Sequence, residues 1–530
     1  MIEINAPLPA NGLQGNIVER IRQNAQTHPE KIALVCNAEK RSWAQLDIAV
    51  NRIANLVLSL APGSARGKNF AILSPNSIAY AELFNGILRA GACVVPLSTM
   101  ASPMALEKML RDCNARAIFV AAQYLPLVSP FMASLDCARF AIDFTERGFE
   151  FLPDALKAQS STDPLQPIAY EDAFNLIYSS GTTGTPKGIV QTHGMRAAQM
   201  DRVTPNGYDD NARTLLSTPL YSNTTLVSFF PTLFGGSTVH LMPKFDARDY
   251  LEIVQNERIT HTMLVPVQYQ RIMAVPEFDD FDLSSMRVKF STSAPLRADV
   301  KRDVLARFPG RLMEFYGLTE GGGVCVLSAD DFPDKLHTVG KPGPGNDVRI
   351  IDANGHELVQ GQTGEIVGRG PTMMAGYYGR EDLTRDYIWT SPEGRVFFRS
   401  GDMGRLDEDG FLILSDRKKD MIISGGLNVY ADDLEQVLLA DPDVVDAAVI
   451  GVPSDRWGET PLGLVVLRDG ANRSGASICA TANAQLGKSQ RLSAVELRDA
   501  LPRSTIGKIL KRDLRDPYWS QDETAKDHAT

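Results

Sequence analysis

Apolar residues fall along the chain in short clusters, and between clusters they recur every three or four positions. This pattern predicts strands at 69–73 and 92–97 flanking a helix at 79–90, a β-α-β unit, with a further strand at 116–120 after another helix. The alternation returns with a strand at 237–242, a helix at 247–258 and a strand at 261–265. Repeated strand–helix alternation predicts an α/β fold of largely parallel sheets covered by helices, with ligand sites at the carboxyl ends of strands. From about residue 340 the texture changes to short strands and Gly-rich turns, which predicts a small β-rich subdomain. The charged run Asp416-Arg417-Lys418-Lys419-Asp420 then separates the apolar segments 411–414 and 421–423. Taken alone, that run is equally well explained as a solvated loop.

A chain of 530 residues exceeds what one hydrophobic core organises, so two or more domains are expected. With 44% hydrophobic and 22% charged residues the composition is that of an ordinary globular protein. The formal charge of −10 argues against a nucleic-acid partner, which requires a basic face. Cys36, Cys93, Cys113, Cys137, Cys325 and Cys479 are scattered, with no C-x-x-C pair and no His cluster. That argues against a zinc site or disulfide scaffold and for reduced thiols in a cytoplasm. No stretch approaches the ~18 apolar residues of a membrane span, and the N-terminus lacks a basic start and an apolar core, so neither an integral membrane segment nor a signal peptide is expected.

One segment carries chemistry. Residues 178–188 read Y-S-S-G-T-T-G-T-P-K-G, with hydroxyl side chains and glycines just ahead of Lys187. Such a loop can wrap a polyphosphate with N–H and O–H donors while the lysine neutralises charge. It is not a Walker A loop: counting from Gly181, Pro186 stands where the second glycine should be, and Lys187 is followed by Gly188 instead of Ser or Thr. Apolar segments at 173–178 and 189–191 predict strands on either side.

The loop resembles the phosphate-binding signature of the adenylate-forming superfamily, which includes acyl-CoA synthetases, aryl-CoA ligases, peptide-synthetase adenylation domains and beetle luciferases. Further segments match in order: Tyr316-Gly317-Leu318-Thr319-Glu320, Ser400-Gly401-Asp402, the 416–420 run with Gly425-Gly426-Leu427-Asn428, and Pro502-Arg503-Ser504-Thr505-Ile506-Gly507-Lys508. The similarity runs from S-W-A-Q-L-D at Ser42 to Leu514. It implies a large N-terminal AMP-binding domain, residues 1–416, made of two parallel-type α/β subdomains plus the small β-rich one. A small mobile α+β C-terminal domain, residues 417–530, would come after it, hinged near Lys419.

The implied activity is ATP-dependent activation of a carboxylic acid. Resonance and charge make a carboxylate a poor electrophile; attack on the α-phosphorus of ATP expels pyrophosphate and leaves an acyl-AMP that a thiol can attack. Positioning and charge neutralisation then carry most of the catalysis. On the matching positions the resemblance implies that Thr182, Thr183, Thr185 and Lys187 hold the outer phosphates. Glu320 would hold Mg²⁺ directly or through water, as suits a hard carboxylate oxygen. Thr319 would donate to the α-phosphate, while Tyr316, Gly317 and the Ser293-Ala294-Pro295 segment lie beside the adenine. Asp402 would accept from both ribose hydroxyls, with Arg417 as a second contact, and Lys508 would reach the α-phosphate and the carboxylate. Turning about Lys419 would withdraw Lys508 and bring Gly425 and Gly426 to a pantetheine tunnel for CoA. Singly, each residue has a bland reading as a capping glutamate, an Asx-turn aspartate, a surface ion pair or a solvated lysine; their order as a set outweighs it.

The chain departs from the pattern in three places. Family members commonly carry a histidine where Ser222 stands in Pro219-Leu220-Tyr221-Ser222-Asn223. No aspartate offers to pair an α-amino group there, which argues against an amino-acid substrate. Ser291-Thr292-Ser293 replaces a more usual Gly-Ala, and Glu314 replaces a common amide. The acyl pocket is expected from Tyr221, Ser222, Val267, Ser291, Thr292 and the Gly321-Gly322-Gly323 run, whose missing side chains would leave room for a bulky group. With no charged residue evident among these, the expected substrate is an apolar fatty or aromatic acid. The expected partners are that acid, ATP and CoA; a stand-alone adenylation enzyme loading a carrier protein is the alternative, and whether the chain forms a homodimer stays open.

Overall fold

The computed structural model of the chain describes residues 15–179, 186–417, 420–424, 427–429, 431–454, 458–486, 491–504 and 507–527. The fold is mixed α/β, and contacts divide it into two compact units: Met1–Val348 with Gly368–Phe398, and Arg349–Val367 with Arg399–Thr530. The chain passes between units three times, each time inside a strand: Asp347–Ile351, Gly364–Arg369 and Val396–Leu406. Residues 399–416 belong to the second unit, where the end of Val396–Leu406 pairs with Leu412–Arg417.

The first unit holds two large sheets. In the nine-stranded sheet, Arg311–Tyr316, Val288–Ser291, His261–Leu264, Arg213–Leu216, Thr238–Leu241 and Ile32–Cys36 run parallel, with antiparallel strands only at the edges. In the eight-stranded sheet, Ala173–Ser179 begins the parallel series through Cys93–Pro96, Asn69–Leu73, Ala117–Val120, Ala138–Ala141 and Glu150–Phe151. Lys187–Thr192 pairs antiparallel on the other side of Ala173–Ser179. Both expected β-α-β alternations are therefore present. The helix expected at 247–258 ends earlier, at Asn256, because Arg258 takes a left-handed φ of 52° that a continuing helix excludes.

One core serves both sheets. It takes Phe70, Ile72, Val94 and Phe174 from the eight-stranded sheet, Val239, Met263 and Phe290 from the nine-stranded one, and Phe84, Phe229 and Phe230 from helices between them. Helices Ile78–Arg89 and Asn223–Phe234 are consequently buried nearly all round, which their apolar sequences require. Phe230 meets Phe174 edge-on at 4.9 Å and Phe84 at 5.3 Å, each aromatic contributing about 1.5–3 kcal/mol by burial. Local chemistry sets helix starts: Ser42 and Gln45 form a capping box at Trp43–Leu60, and Ser77 accepts from the Tyr80 amide at Ile78–Arg89.

In the second unit, Val444–Ser454 and Gly458–Leu467 form a long antiparallel hairpin, extended by Ile422–Ser424 with Leu427–Val429 and, in parallel, by Ala494–Leu497. Helices Ala431–Leu439, Gly475–Gln485 and Lys511–Asp527 complete an α+β unit. Among the described residues no helix is long and apolar enough to cross a membrane.

Candidate functional site

The strands around the phosphate-loop motif place Lys187 opposite Ser179 in antiparallel register. Thr182, Thr183 and Thr185 lie outside the described residues. The Lys187 Nζ donates to Tyr387 Oη at 3.0 Å and lies 4.8 Å from that ring's centroid and 5.7 Å from the Tyr377 ring. Tyr377 Oη in turn donates to Glu320 Oε1 at 2.9 Å. Burial, and then the Glu320 charge, push the Tyr377 phenol well above its ordinary range, so it stays a proton donor to that carboxylate. A pair of edge-packed tyrosines, 5.8 Å apart, thus connects the motif lysine to the motif glutamate. Neither tyrosine was foreseen, because Tyr387 is 200 residues from Lys187 and Tyr377 is 57 from Glu320, and no local spacing announces them.

The turn carrying Thr319 and Glu320 is held from both sides. Gln191, on the strand that begins with Lys187, donates from Nε2 to the Thr319 carbonyl at 2.7 Å, and the Met374 amide donates to the Glu320 carbonyl at 2.8 Å. Gln191 is itself fixed: its Oε1 accepts from Asn175 Nδ2 at 3.0 Å and from the Arg196 guanidinium. Arg196 also donates to Asn175 Oδ1 at 2.9 and 3.2 Å and to Gln199 at 2.6 Å. It is 1% exposed and meets amides but no carboxylate among the described residues; burial alone pulls the guanidinium down to about 9. A fully buried cation satisfied only by neutral dipoles makes this a rigid polar network, with each charge-assisted bond contributing about 1.5–3 kcal/mol.

Tyr316 and Gly317 stand at the end of Arg311–Tyr316, the first half-buried and the second exposed. Ser293 takes a left-handed φ of 80° and its hydroxyl pairs with Thr224 Oγ1; Ala294 is half-buried and Pro295 exposed in the same loop. Tyr221 is buried with no hydrogen-bond partner for its hydroxyl among the described residues. Ser222 occupies the N-cap of Asn223–Phe234, yet its side chain makes no capping bond, and Val267 is half-buried in the first turn of Pro266–Met273. Thr292 donates from Oγ1 to the Phe315 carbonyl at 2.8 Å.

Two expectations change. Ser291 pairs in register with Glu314, and neighbouring residues in a parallel pair share a face. Glu314 forms a fully buried ion pair with Lys301 and accepts from the Leu296 amide at 2.7 Å, and burial raises its carboxyl above the usual range. Glu314 therefore has a structural partner, and Ser291 faces the helix Ala298–Arg307 side, away from Thr292 and Phe315. The glycine run also has another purpose. Gly321, Gly322 and Gly323 have φ of 75°, 79° and 93°, and a Cβ on Gly321 would meet the Thr372 carbonyl at 1.9 Å, on Gly322 the Phe398 Cβ at 2.5 Å. Their missing side chains permit a left-handed backbone packed against 368–373; they leave no open space for an acyl group.

One charged residue near these positions went unforeseen. Arg202, close to the end of His193–Val203, holds its guanidinium carbon 5.6 Å from the Phe315 ring centroid. The spacing Arg196, Gln199, Arg202 puts three polar residues on one face of a helix that is otherwise buried, and that i, i+3, i+6 stripe was the available signal.

In the second unit, Asp402 and Arg417 stand directly opposite each other on paired strands. Asp402 is 8% exposed, and Ser400 braces its turn by accepting from the Asp402 amide at 3.0 Å and donating to the Ile366 carbonyl at 2.7 Å. Lys508 closes a tight turn: Ser504 N donates to the Lys508 carbonyl at 2.8 Å, the Lys508 amide donates to Ser504 Oγ at 3.1 Å, and Gly507 supplies the φ of 75°. Arg503 anchors that turn with two 2.7 Å bonds to Asp446. Lys419, Gly425 and Gly426 lie outside the described residues.

Residues 21–378 match the family model described as AMP-binding enzyme, and residues 433–508 match AMP-binding enzyme C-terminal domain. A feruloyl-CoA synthase of an Amycolatopsis species is 34% identical over 496 residues, covering 93% of this chain and 97% of that protein. A long-chain-fatty-acid–CoA ligase of Mycobacterium tuberculosis is 30% identical over 508 residues, covering 95% and 98%. Among solved structures, ATP-bound MatB from Rhodopseudomonas palustris is similar with a TM-score of 0.86 at 29% identity, covering 95% of this chain and 98% of that one.

Proposed function

Since this chain belongs to the AMP-binding enzyme family, we propose that it activates a carboxylic acid with ATP, forming acyl-AMP and pyrophosphate, and transfers the acyl group to CoA as a thioester. The observation that carries this reading is the bridge from Lys187 through Tyr387 and Tyr377 to Glu320, which sets a cation and a carboxylate beside the strand leaving the phosphate-loop motif. A feruloyl-CoA synthase and a fatty-acid–CoA ligase among its relatives support CoA as acceptor and an aromatic or fatty acid as donor. The solved relative with ATP bound supports the nucleotide.

In the first half-reaction the carboxylate attacks the α-phosphorus. Lys187 neutralises charge on the outer phosphates, and the Thr319 hydroxyl donates near the α-phosphate from a turn that Gln191 fixes. Lys508 supplies the second positive charge at the α-phosphate and the attacking carboxylate. Asp402 accepts from the ribose hydroxyls, and Arg417, which its strand pairing sets opposite, adds a second ribose or phosphate contact. Mg²⁺ would neutralise phosphate charge, and Glu320 fits it: a half-buried carboxylate that commits Oε1 to Tyr377 Oη and is one protein ligand of the kind this ion takes alongside phosphates and water. In the second half-reaction, rotation about Lys419 withdraws Lys508 and lets the Gly425-Gly426 segment line the path of the CoA thiol, which displaces AMP. All six cysteines are unpaired, which supports a reducing compartment, the cytoplasm.

The test is an assay with ATP, Mg²⁺ and CoA over a panel of aliphatic and aromatic acids, scoring AMP and thioester together. Acid-dependent AMP with equimolar thioester is the expected result. AMP without thioester, restored by a holo carrier protein, would replace CoA as the acceptor; no acid-dependent AMP at all would overturn the reading.

A further inference from the structure

We propose that Arg503 and Asp446 are positioning residues for adenylation: their ion pair fixes the turn that carries Lys508, so breaking it slows formation of acyl-AMP and spares transfer to CoA. This rests on the acid-activating reading above and adds how the charge of Lys508 is aimed.

Bonds within a turn fix its shape but not its direction relative to the sheet. The Ser504 amide donates to the Lys508 carbonyl at 2.8 Å and the Lys508 amide to Ser504 Oγ at 3.1 Å, which sets the shape. Arg503 sets the direction. Its Nη1 donates to the Gly507 carbonyl at 2.6 Å, one residue before Lys508, while its Nη2 lies 2.7 Å from each carboxylate oxygen of Asp446. One planar guanidinium thus spans from the turn to the strand Val444–Ser454. A lysine at 503, with a single charged nitrogen, could occupy one of these two places but not both.

The strand is shaped to deliver that carboxylate. Val444 faces Leu467 and Asp446 faces Val466, so Val445 is an extra residue on this side of the hairpin. Such a bulge bends the strand and re-aims the side chain beside it, a device found next to active sites. Asp446 Oδ1 also accepts from the Ala447 amide at 3.1 Å, a further bond that orients the carboxylate. Three residues after Lys508 comes a second anchor: Lys511 Nζ pairs with Glu435 at 2.8 Å, and Glu435 accepts from the Val449 amide at 2.6 Å. Lys508 therefore lies between two ion pairs that lead back to one strand, through Asp446 on one side and Val449 on the other. The Arg503 and Asp446 side chains are 30% and 26% exposed, and a pair so open to water contributes little to overall stability. A shift of about 1 Å in a catalytic group, by contrast, costs up to about 100-fold in rate. Aiming Lys508 is the larger effect.

The experiment compares the two half-reactions in the full-length protein and in Asp446→Ala, Arg503→Met and the double variant, with Arg473→Met as control. Arg473 forms a comparable ion pair with Asp441 in the same unit, at 2.5 Å, and otherwise bonds Ser477 and Thr481 instead of the Lys508 turn. Single-turnover pyrophosphate release at saturating ATP and acid should fall about 10-fold to 100-fold in each single variant, while transfer from preformed acyl-AMP to CoA stays within about 3-fold. The double variant should be no slower than the slower single one, since both changes release the same turn. Arg473→Met should leave the ratio of the two steps unchanged. Equal losses in both steps would reduce the pair to a structural role and overturn the proposal, as would losses that multiply in the double variant. A measurement without substrate separates this from the enzymatic reading: tryptic cleavage after Lys508 in the folded protein should quicken in Asp446→Ala and not in Arg473→Met. An unchanged cleavage rate in Asp446→Ala would overturn the anchoring whatever acids are activated. If no acid is activated while cleavage quickens, the acid-activating reading fails and the anchor holds.

Discussion

Gln191→Glu separates holding the fold from positioning the reaction. In the native protein the Gln191 amide faces two ways, accepting from Arg196 and Asn175 through Oε1 and donating to the Thr319 carbonyl through Nε2 at 2.7 Å. Glutamate keeps the acceptor and gives buried Arg196 a carboxylate in place of a dipole, which offsets much of the cost of burying another charge. It removes the donor, and sets an oxygen against the Thr319 carbonyl where a hydrogen bond had been. The Thr319 turn then loses one of its two lateral bonds, the other being Met374 N to the Glu320 carbonyl. A lost neutral bond contributes about 0.5–1.5 kcal/mol, and the stranded carbonyl adds about 1–3 kcal/mol more. If half of that, about 0.8–2.3 kcal/mol, falls on the transition state, adenylation slows about 4-fold to 50-fold. Pyrophosphate exchange at saturating acid measures this, with thermal unfolding of the same samples as the control. The expected outcome is a fall in kcat with Tm within about 2 °C of wild type, since each kcal/mol shifts Tm by less than about 2–4 °C in a protein larger than about 250 residues. Full exchange activity in a folded Gln191→Glu protein would refute the idea that this bond positions Thr319, and a collapse in Tm would mean the network serves stability alone.

Lys508→Ala should slow adenylation by about 10² or more, roughly 2.7 kcal/mol of barrier, while single-turnover transfer from preformed acyl-AMP to CoA suffers much less; equal losses in both steps would contradict its role. Lys419→Pro fixes φ at the expected hinge, so pyrophosphate exchange should persist while thioester formation collapses, and full thioester turnover would dispose of the two-orientation scheme. Gly322→Leu drives a side chain into Phe398 from a φ of 79°, so denaturant melts should show lost stability and activity should fall on small and large acids alike; a gain on small acids would restore the glycines to the acyl pocket. Glu314→Ala strands the buried Lys301 ammonium, and urea unfolding should show a loss of about 3–5 kcal/mol.

The chain's own sequence determined whatever depends on local pattern. The β-α-β alternation at 69–97 is legible because parallel strands buried on both faces must be continuously apolar, and Asn69–Leu73 is buried at every position. The segments that carry Lys187, Thr319, Glu320, Asp402 and Lys508 are legible because the family resemblance rests on residue types at fixed spacing along a loop or strand end, which the sequence displays directly. The resemblance implies Arg417 as a second ribose or phosphate contact beside Asp402, and antiparallel pairing sets the two positions opposite each other. What spacing cannot carry is the partner that arrives from elsewhere in the chain. Tyr377 and Tyr387 join Lys187 to Glu320 only through the packing of distant segments, and Gln191 reaches Thr319 across 128 residues. The same limit misled the reading of Gly321 to Gly323, since an absent side chain looks like empty space in a sequence, whereas the neighbouring backbone at 368–373 fills it. Arg196 is the converse case: in a sequence an arginine is presumed solvated, and only the packing of Asn175, Gln191 and Gln199 around this one turns it into a buried cation satisfied by amides.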